Sequence, residues 1–213
     1  MLKIKQFAFN FFEENTYLVW DSDSLLAIVI DPGMLFDKEV LMFDNVVQQL
    51  GLKINLVAQT HLHLDHCFGA NHIAQKYSVD IAAHPDDAVF GKTIADQCAR
   101  FGIRADIQPV QISRPLHHGD IITVGNFALE VRHLPGHSPG GLAFFSKEAN
   151  TVFSGDSLFK QSIGRTDLLG GDLTQLLQSI QTQLFTLPQN TTVLPGHGPS
   201  TTIISEINSN PYL

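Results

Sequence analysis

The chain alternates short apolar runs with turn-forming clusters. Ile54-Asn55-Leu56-Val57-Ala58 reads as a buried strand, and residues 127–132 alternate like a half-buried one. Thr151-Val152-Phe153 and Thr191-Thr192-Val193-Leu194 predict two more strands, and residues 1–7 alternate as well. Residues 37–50 carry Val40, Leu41, Val46, Val47 and Leu50 ahead of Gly51, which predicts an amphipathic helix. Over residues 172–187, Asp172 is placed to cap a second helix whose Leu173, Leu176, Leu177, Ile180 and Leu184 form a core-facing stripe. Residues 85–101 predict a weaker third, and residues 67–77 a fourth.

The ends of the strands are more informative than the strands themselves. The run at residues 54–58 leads into Thr60-His61-Leu62-His63-Leu64-Asp65-His66, three imidazoles and one carboxylate within six positions. An extended backbone puts side chains two apart on one side, so His61, His63 and Asp65 are expected to converge, while His66 comes off the next bend. The other strands end at Leu134-Pro135-Gly136-His137, Ser154-Gly155-Asp156 and Pro195-Gly196-His197. Each Pro-Gly stops its strand and swings the next histidine out. The five histidines and two aspartates divide as His61, His63 and His137 around one divalent ion and Asp65, His66 and His197 around a second, with Asp156 bridging. Zinc suits such a set, and iron or manganese accepts the same ligands. His84 follows a strand-like Ala82-Ala83 and is a candidate supporting group; His133 is read as packing or capping, and His72, His117 and His118 as surface or turn residues. Cys67 is read as a small buried residue rather than a ligand.

At 213 residues, 44% hydrophobic and 16% charged, the chain can bury a core as one domain over residues 1–213. It has no low-complexity tract, no repeat and no apolar stretch near the ~20 residues of a membrane span. The first residues lack a signal-peptide pattern and only Cys67 and Cys98 are present, so a cytoplasmic protein without a disulfide framework is expected. A net charge of −8 with scattered basic residues argues against a nucleic-acid partner. Oligomeric state is not legible. Two divalent cations would nonetheless make the pocket itself positive, which suits a small anionic substrate.

With its later His, Asp and His, the H-x-H-x-D-H signature resembles that of the metallo-β-lactamase-fold hydrolases. Glu14-Asn15-Thr16-Tyr17-Leu18-Val19 and Ile28-Val29-Ile30-Asp31-Pro32-Gly33 look like that family's opening strands, and Leu134-Pro135-Gly136-His137-Ser138-Pro139-Gly140 like the loop bearing its third histidine. The resemblance implies an α/β fold, a four-layer αββα sandwich with the metals at one edge. The loop after Asp156 carries two basic residues, Lys160 and Arg165, as candidate substrate-binding groups. Its Gly164-Arg165-Thr166-Asp167 form is similar to the short glyoxalase-II-like hydrolases and also to persulfide dioxygenases. Glyoxalase II holds glutathione with a Lys and a Tyr on this loop and with basic residues near its C-terminus. Here Arg165 could replace the Lys, Asp167 does not replace the Tyr, Arg165 and Asp167 could instead pair with each other, and residues 198–213 contain no Lys or Arg. The implied reaction is hydrolysis of a small anionic thioester such as S-lactoylglutathione, with water activated between the cations and with Asp65 and Asp156 as catalytic carboxylates. A persulfide dioxygenase using one iron on His61, His137 or His63 and Asp156 is the alternative on the same scaffold.

Overall fold

The computed structural model describes residues 1–105 and 107–213. Strands β1 (Leu2–Phe9), β2 (Glu14–Asp21), β3 (Leu26–Ile30), β4 (Lys53–Ala58), β5 (Ile81–Ala83) and β6 (Arg114–Pro115) form one sheet in sequential order. Its first three strands are antiparallel and the remainder parallel. The second sheet holds β7 (Ile121–Val124), β8 (Phe127–His133), β9 (Leu142–Ser146), β10 (Thr151–Gly155), β13 (Thr192–Pro195) and β14 (Thr201–Thr202), in the order β14-β13-β10-β9-β8-β7. In that sheet only β10 and β13 run parallel. A small hairpin, β11 (Leu158–Phe159) with β12 (Ser162–Ile163), comes directly after β10.

Both sheets are buried on two faces, which is why their strands read as apolar runs rather than strict alternations. Along β2, Tyr17 and Val19 point between the sheets and Leu18 points outward; on β10, Phe153 points inward and Val152 outward. Three apolar layers result. Ile28, Ile30, Leu129, Val131 and Phe144 fill the middle one. On the outer face of the first sheet, α1 (Asp37–Gln49), α3 (Ala70–Tyr77) and α5 (Ile94–Arg100) pack Phe43, Val47 and Ile73 against Leu18 and Val57. On the outer face of the second, α6 (Leu173–Ser179) and α7 (Ile203–Ser209) contribute Leu176 and Ile203. This is the expected αββα sandwich.

Local chemistry modifies the expected helices. The turn expected over residues 67–77 begins earlier, as α2 (Leu64–Cys67), and is interrupted before α3. At the interruption Gly69 donates its N–H to the Pro32 carbonyl at 2.7 Å, and a Cβ there would have to displace the buried Met34 side chain. The stretch 85–101 divides into α4 (Ala88–Lys92) and α5 at Thr93, whose hydroxyl donates to the Val89 carbonyl and competes with the helical ladder. In α1 the core position belongs to Phe43 while Leu41 is exposed; Leu173 is exposed at the start of α6. Asp172 caps α6 as expected, accepting from the Gln175 N–H, and the helix continues into a π-helical turn, Ile180–Leu184. Among the described residues no helix is long and apolar enough to cross a membrane.

Candidate metal centre

The seven residues singled out from the sequence come together beyond the C-terminal ends of β4, β8, β10 and β13, where both sheets open to one edge. His61, His63 and His137 offer ligand-type atoms that lie within 4.8 Å of one another, and so do Asp65, His66 and His197. Asp156 stands between the groups. Its carboxylate is 3.7 Å from His137 Nε2 on one side, and 3.4 Å from His66 Nε2 and 3.5 Å from His197 Nε2 on the other. The expected convergence of Asp65 with His61 and His63 does not occur. Extended backbone ends at His63, Leu64 opens α2, and Asp65 and His66 turn with that helix toward His197, where Asp65 Oδ2 is 3.2 Å from His197 Nε2.

Outer contacts orient four of the five rings, and His63 Nε2 is buried with no hydrogen-bond partner among the described residues. The Thr60 hydroxyl donates to Asp31, so its oxygen is left to accept from His61 Nδ1–H at 3.0 Å, and the Nε2 lone pair of His61 faces the cluster. His66 Nδ1 donates to Asp31 at 3.1 Å, His137 Nδ1 to the Arg165 carbonyl at 2.8 Å, and His197 Nδ1 to the Phe12 carbonyl at 3.0 Å. His63 presents Nδ1, 2.8 Å from His137 Nε2. Such second contacts fix tautomers and aim lone pairs, as metal-binding histidines require. His61 Nε2 and Asp156 Oδ1 are buried without a hydrogen-bond partner among the described residues. Two orphaned acceptors aimed into a cluster of imidazoles and carboxylates fit divalent cations, and this donor set suits zinc, iron or manganese.

Electrostatics separates the two groups. Burial, and after it the charge of His66, holds His61 well below the ordinary imidazole range, and burial together with His137 brings His63 down to about 3. Burial also opposes charge on His66 and His197, but Asp156 and Asp65 outweigh it and both are pushed up. Asp156 and Asp65 are in turn held below the usual carboxylate range, against their burial, chiefly by His66.

Several residues that position the site carry no legible signal in the sequence. Asp31, at the end of β3, accepts from the Thr60 N–H at 2.6 Å as well as from the Thr60 hydroxyl and His66. Asp87, fully buried, accepts from the Leu62 N–H, the Ser138 hydroxyl and the Gly140 N–H, tying the His61–His63 segment to the His137 loop. Asn15 holds the His197 turn by donating to the carbonyls of Pro195 and Gly198. At Gly196 a Cβ would strike the Asp156 carboxylate. A carboxylate or amide at a strand end looks like an ordinary turn residue until the fold shows which amides it faces.

A cleft of about 400 Å³ opens over the cluster, lined beside the ligands by Phe12, Leu64, Gln97, Phe101, Phe159, Ile163, Arg165 and Leu168. Arg165 lines it, but its guanidinium forms a two-pronged pair with Asp167 at 2.7 and 2.8 Å. Lys160 does not line this cleft. It sits in the turn of the β11–β12 hairpin and borders a separate groove with Thr202 and Ser205, while its neighbour Phe159 faces His197. Nor does His84 support the centre: its ring stacks on His133 at 4.2 Å and 6°, with Asp86 beside it. His133 Nε2 donates to the Pro139 carbonyl at 2.9 Å, which makes it a brace of the His137 loop. His117 is exposed, His118 contacts the His133 backbone, and His72 pairs with Asp44. Cys67 is buried, with its thiol against Gln59.

Fold and site together define a metallo-hydrolase, and the chain belongs to the metallo-beta-lactamase superfamily, whose family model matches residues 10–197. It is 35% identical over 204 residues to the hydroxyacylglutathione hydrolase GloC of Haemophilus influenzae, covering 95% of this chain and 93% of that protein. Among solved structures it is similar to the BLEG-1 B3 metallo-beta-lactamase, with a TM-score of 0.90, 34% identity and 99% of each chain covered. It also resembles TTHA1623 in a di-iron-bound form, with a TM-score of 0.85, 35% identity, 98% of this chain and 100% of that one.

The opposed shifts have a consequence for metal uptake. A histidine must be neutral to ligate, so protons compete at higher pH for the raised pair His66 and His197 than for the lowered pair His61 and His63. On acidification from pH 8, an ion bound at Asp65, His66 and His197 should leave before one bound at His61, His63 and His137. Metal analysis after dialysis at stepped pH checks this: His197→Ala should remove the acid-labile equivalent and leave the acid-resistant one, and the reverse order would contradict it.

Proposed function

We propose that the protein hydrolyses small acyl thioesters of the S-lactoylglutathione kind with two divalent ions, zinc being the first candidate and iron the second. The observation that carries this reading is Asp156 standing between two complete ligand groups. His61, His63 and His137 would hold one ion and Asp65, His66 and His197 the other, with Asp156 reaching both. Bound there, divalent ions supply Lewis acidity and bring the pKa of water toward neutrality. The hydroxyacylglutathione hydrolase relative supports the thioester assignment.

The chain's own residues do the remaining work. Asp65, held ionised beside His66 and His197, offers an acceptor to which the attacking water would donate a hydrogen bond and by which it would be oriented. Leu64, Phe159 and Ile163 exclude bulk water around the reacting carbonyl. A departing thiolate, conjugate to a thiol of pKa ~8.5, needs no proton donor. This agrees with a cleft whose polar wall residues, Gln97 and Arg165, are already engaged with Leu64, Phe90 and Asp167. We assign the protein to the cytoplasm, where the buried thiols of Cys67 and Cys98 stay reduced.

Thiol release from S-lactoylglutathione by the metal-loaded protein tests the reading. Asp156→Ala should lower kcat by at least ~100-fold, beyond the 10–100-fold typical of losing an outer contact, and should reduce metal content. Oxygen consumption on glutathione persulfide with one iron per chain, and no thiol release, would instead establish the dioxygenase.

Arg165 tests substrate recognition. Its pair with Asp167 is exposed and makes it a loop brace, so Arg165→Ala should change KM for anionic and neutral thioesters alike, by less than about threefold. A rise of ten- to a hundredfold confined to anionic substrates, the loss of a ~1.5–3 kcal/mol charge-assisted bond, would restore it as the carboxylate anchor.

A further inference from the structure

The cleft over the ligand cluster adjoins a second, apolar groove across the Phe12–Phe101 edge. Phe12 and Phe101 meet edge to face at 5.7 Å and wall both spaces. Beyond them Phe11, Leu35, Phe36 and Ile103 enclose about 650 Å³, with Arg104 also on its lining, and Phe11 sits edge-on to Phe36 at 4.8 Å. The groove is tied to the site through Phe12, which lines it and whose backbone carbonyl accepts the Nδ1–H of His197. Phe11 is 68% exposed and Phe101 45% exposed, beside a cleft whose other apolar walls are Leu64, Phe159, Ile163 and Leu168. Aromatic rings gathered in a groove beside the site offer a place where an apolar ligand group can be buried.

Resting on the thioesterase reading, we propose that the groove receives the apolar acyl group of the substrate. Thiol carriers in water are polar or charged, so the hydrocarbon part of a thioester is ordinarily its acyl side. Of the polar side chains lining the cleft outside the ligand set, Gln97 is spent on backbone groups and Arg165 on Asp167. An acyl chain entering past Phe12 and Phe101 gains burial at every methylene, whereas acetyl or lactoyl leaves the groove wet. Medium-chain and arylalkyl acyl thioesters are therefore the preferred substrate class.

Two measurements on the metal-loaded protein test this. In the first, kcat/KM is compared for acetyl, octanoyl and phenylacetyl thioesters of N-acetylcysteamine, so that the thiol is constant. Octanoyl and phenylacetyl should exceed acetyl by at least tenfold. Phe36→Ser should shrink that ratio about tenfold, and because Phe36 is the N-cap of α1, serine there suits the helix. In the second, calorimetric titration with octanoate and with acetate reads the groove without hydrolysis. Octanoate should bind at least tenfold tighter, and Phe36→Ser should abolish the difference.

The two readings fail separately. If no thioester is cleaved but octanoate retains its Phe36-dependent advantage, the thioesterase assignment falls and the apolar groove stands. If octanoate binds no better than acetate, or equally well to Phe36→Ser, the groove proposal is overturned whatever the enzyme hydrolyses. Gel filtration showing a dimer that Phe11→Ser converts to monomer, with no acyl preference, would also overturn it and give the patch to a second copy of the chain.

Discussion

The structure depends on the convergence of lone pairs in a place from which water is largely excluded. His61, His63, His66, His137, Asp65 and Asp156 are buried or nearly so, and Asp156 touches both groups. Among the described residues, Arg165 is the only lysine or arginine lining the cleft, and it is turned to Asp167. Imidazoles and carboxylates held this close repel or compete for protons unless a cation sits among them. The opposed pKa shifts of His61 and His66 express that competition. A scaffold able to impose such an arrangement must spend rigid elements on it. Four strand ends, the buried carboxylates of Asp31 and Asp87 and the Asn15 clamp meet that requirement.

Those parts also explain the shape of the fold near the site. Parallel pairing of β10 with β13 brings Asp156 and His197 out at the same edge, and the Gly196 N–H donates to the Gly155 carbonyl at 2.8 Å to hold them in register. Glu14 lies fully buried beside this junction, its carboxyl pushed up by burial and accepting from the Thr16 hydroxyl at 2.8 Å. The first sheet contributes ligands from one strand end only, and its Asp31 orients two of them. The edge between the sheets is consequently a place where sequence-distant residues become neighbours.

The four strands that lead into the site, β4, β8, β10 and β13, and all seven converging residues were legible because their signals are local: an apolar run, then a ligand-type side chain after a turn. The spatial grouping of Asp65 with His66 and His197 was legible in outcome but not in cause, since Asp65 reaches its neighbours through α2 rather than by strand periodicity. Asp31, Asp87 and Asn15 were hidden, because their roles are defined by amides far along the chain. Helix limits failed where tertiary contacts intervene, as at Gly69 against Pro32, or where a side chain competes with the backbone, as at Thr93 against Val89. Lys160 and Arg165 show the limit of reasoning from sequence proximity: close together in one loop, one faces another groove and the other is held by Asp167.

Two ions bridged by Asp156 are the central claim, and anomalous X-ray scattering from crystals of the protein purified without chelator tests them most directly. Two anomalous peaks are predicted, one among His61, His63 and His137 and one among Asp65, His66 and His197, with Asp156 between them. A single peak under saturating metal, with either group of three left empty, would contradict it.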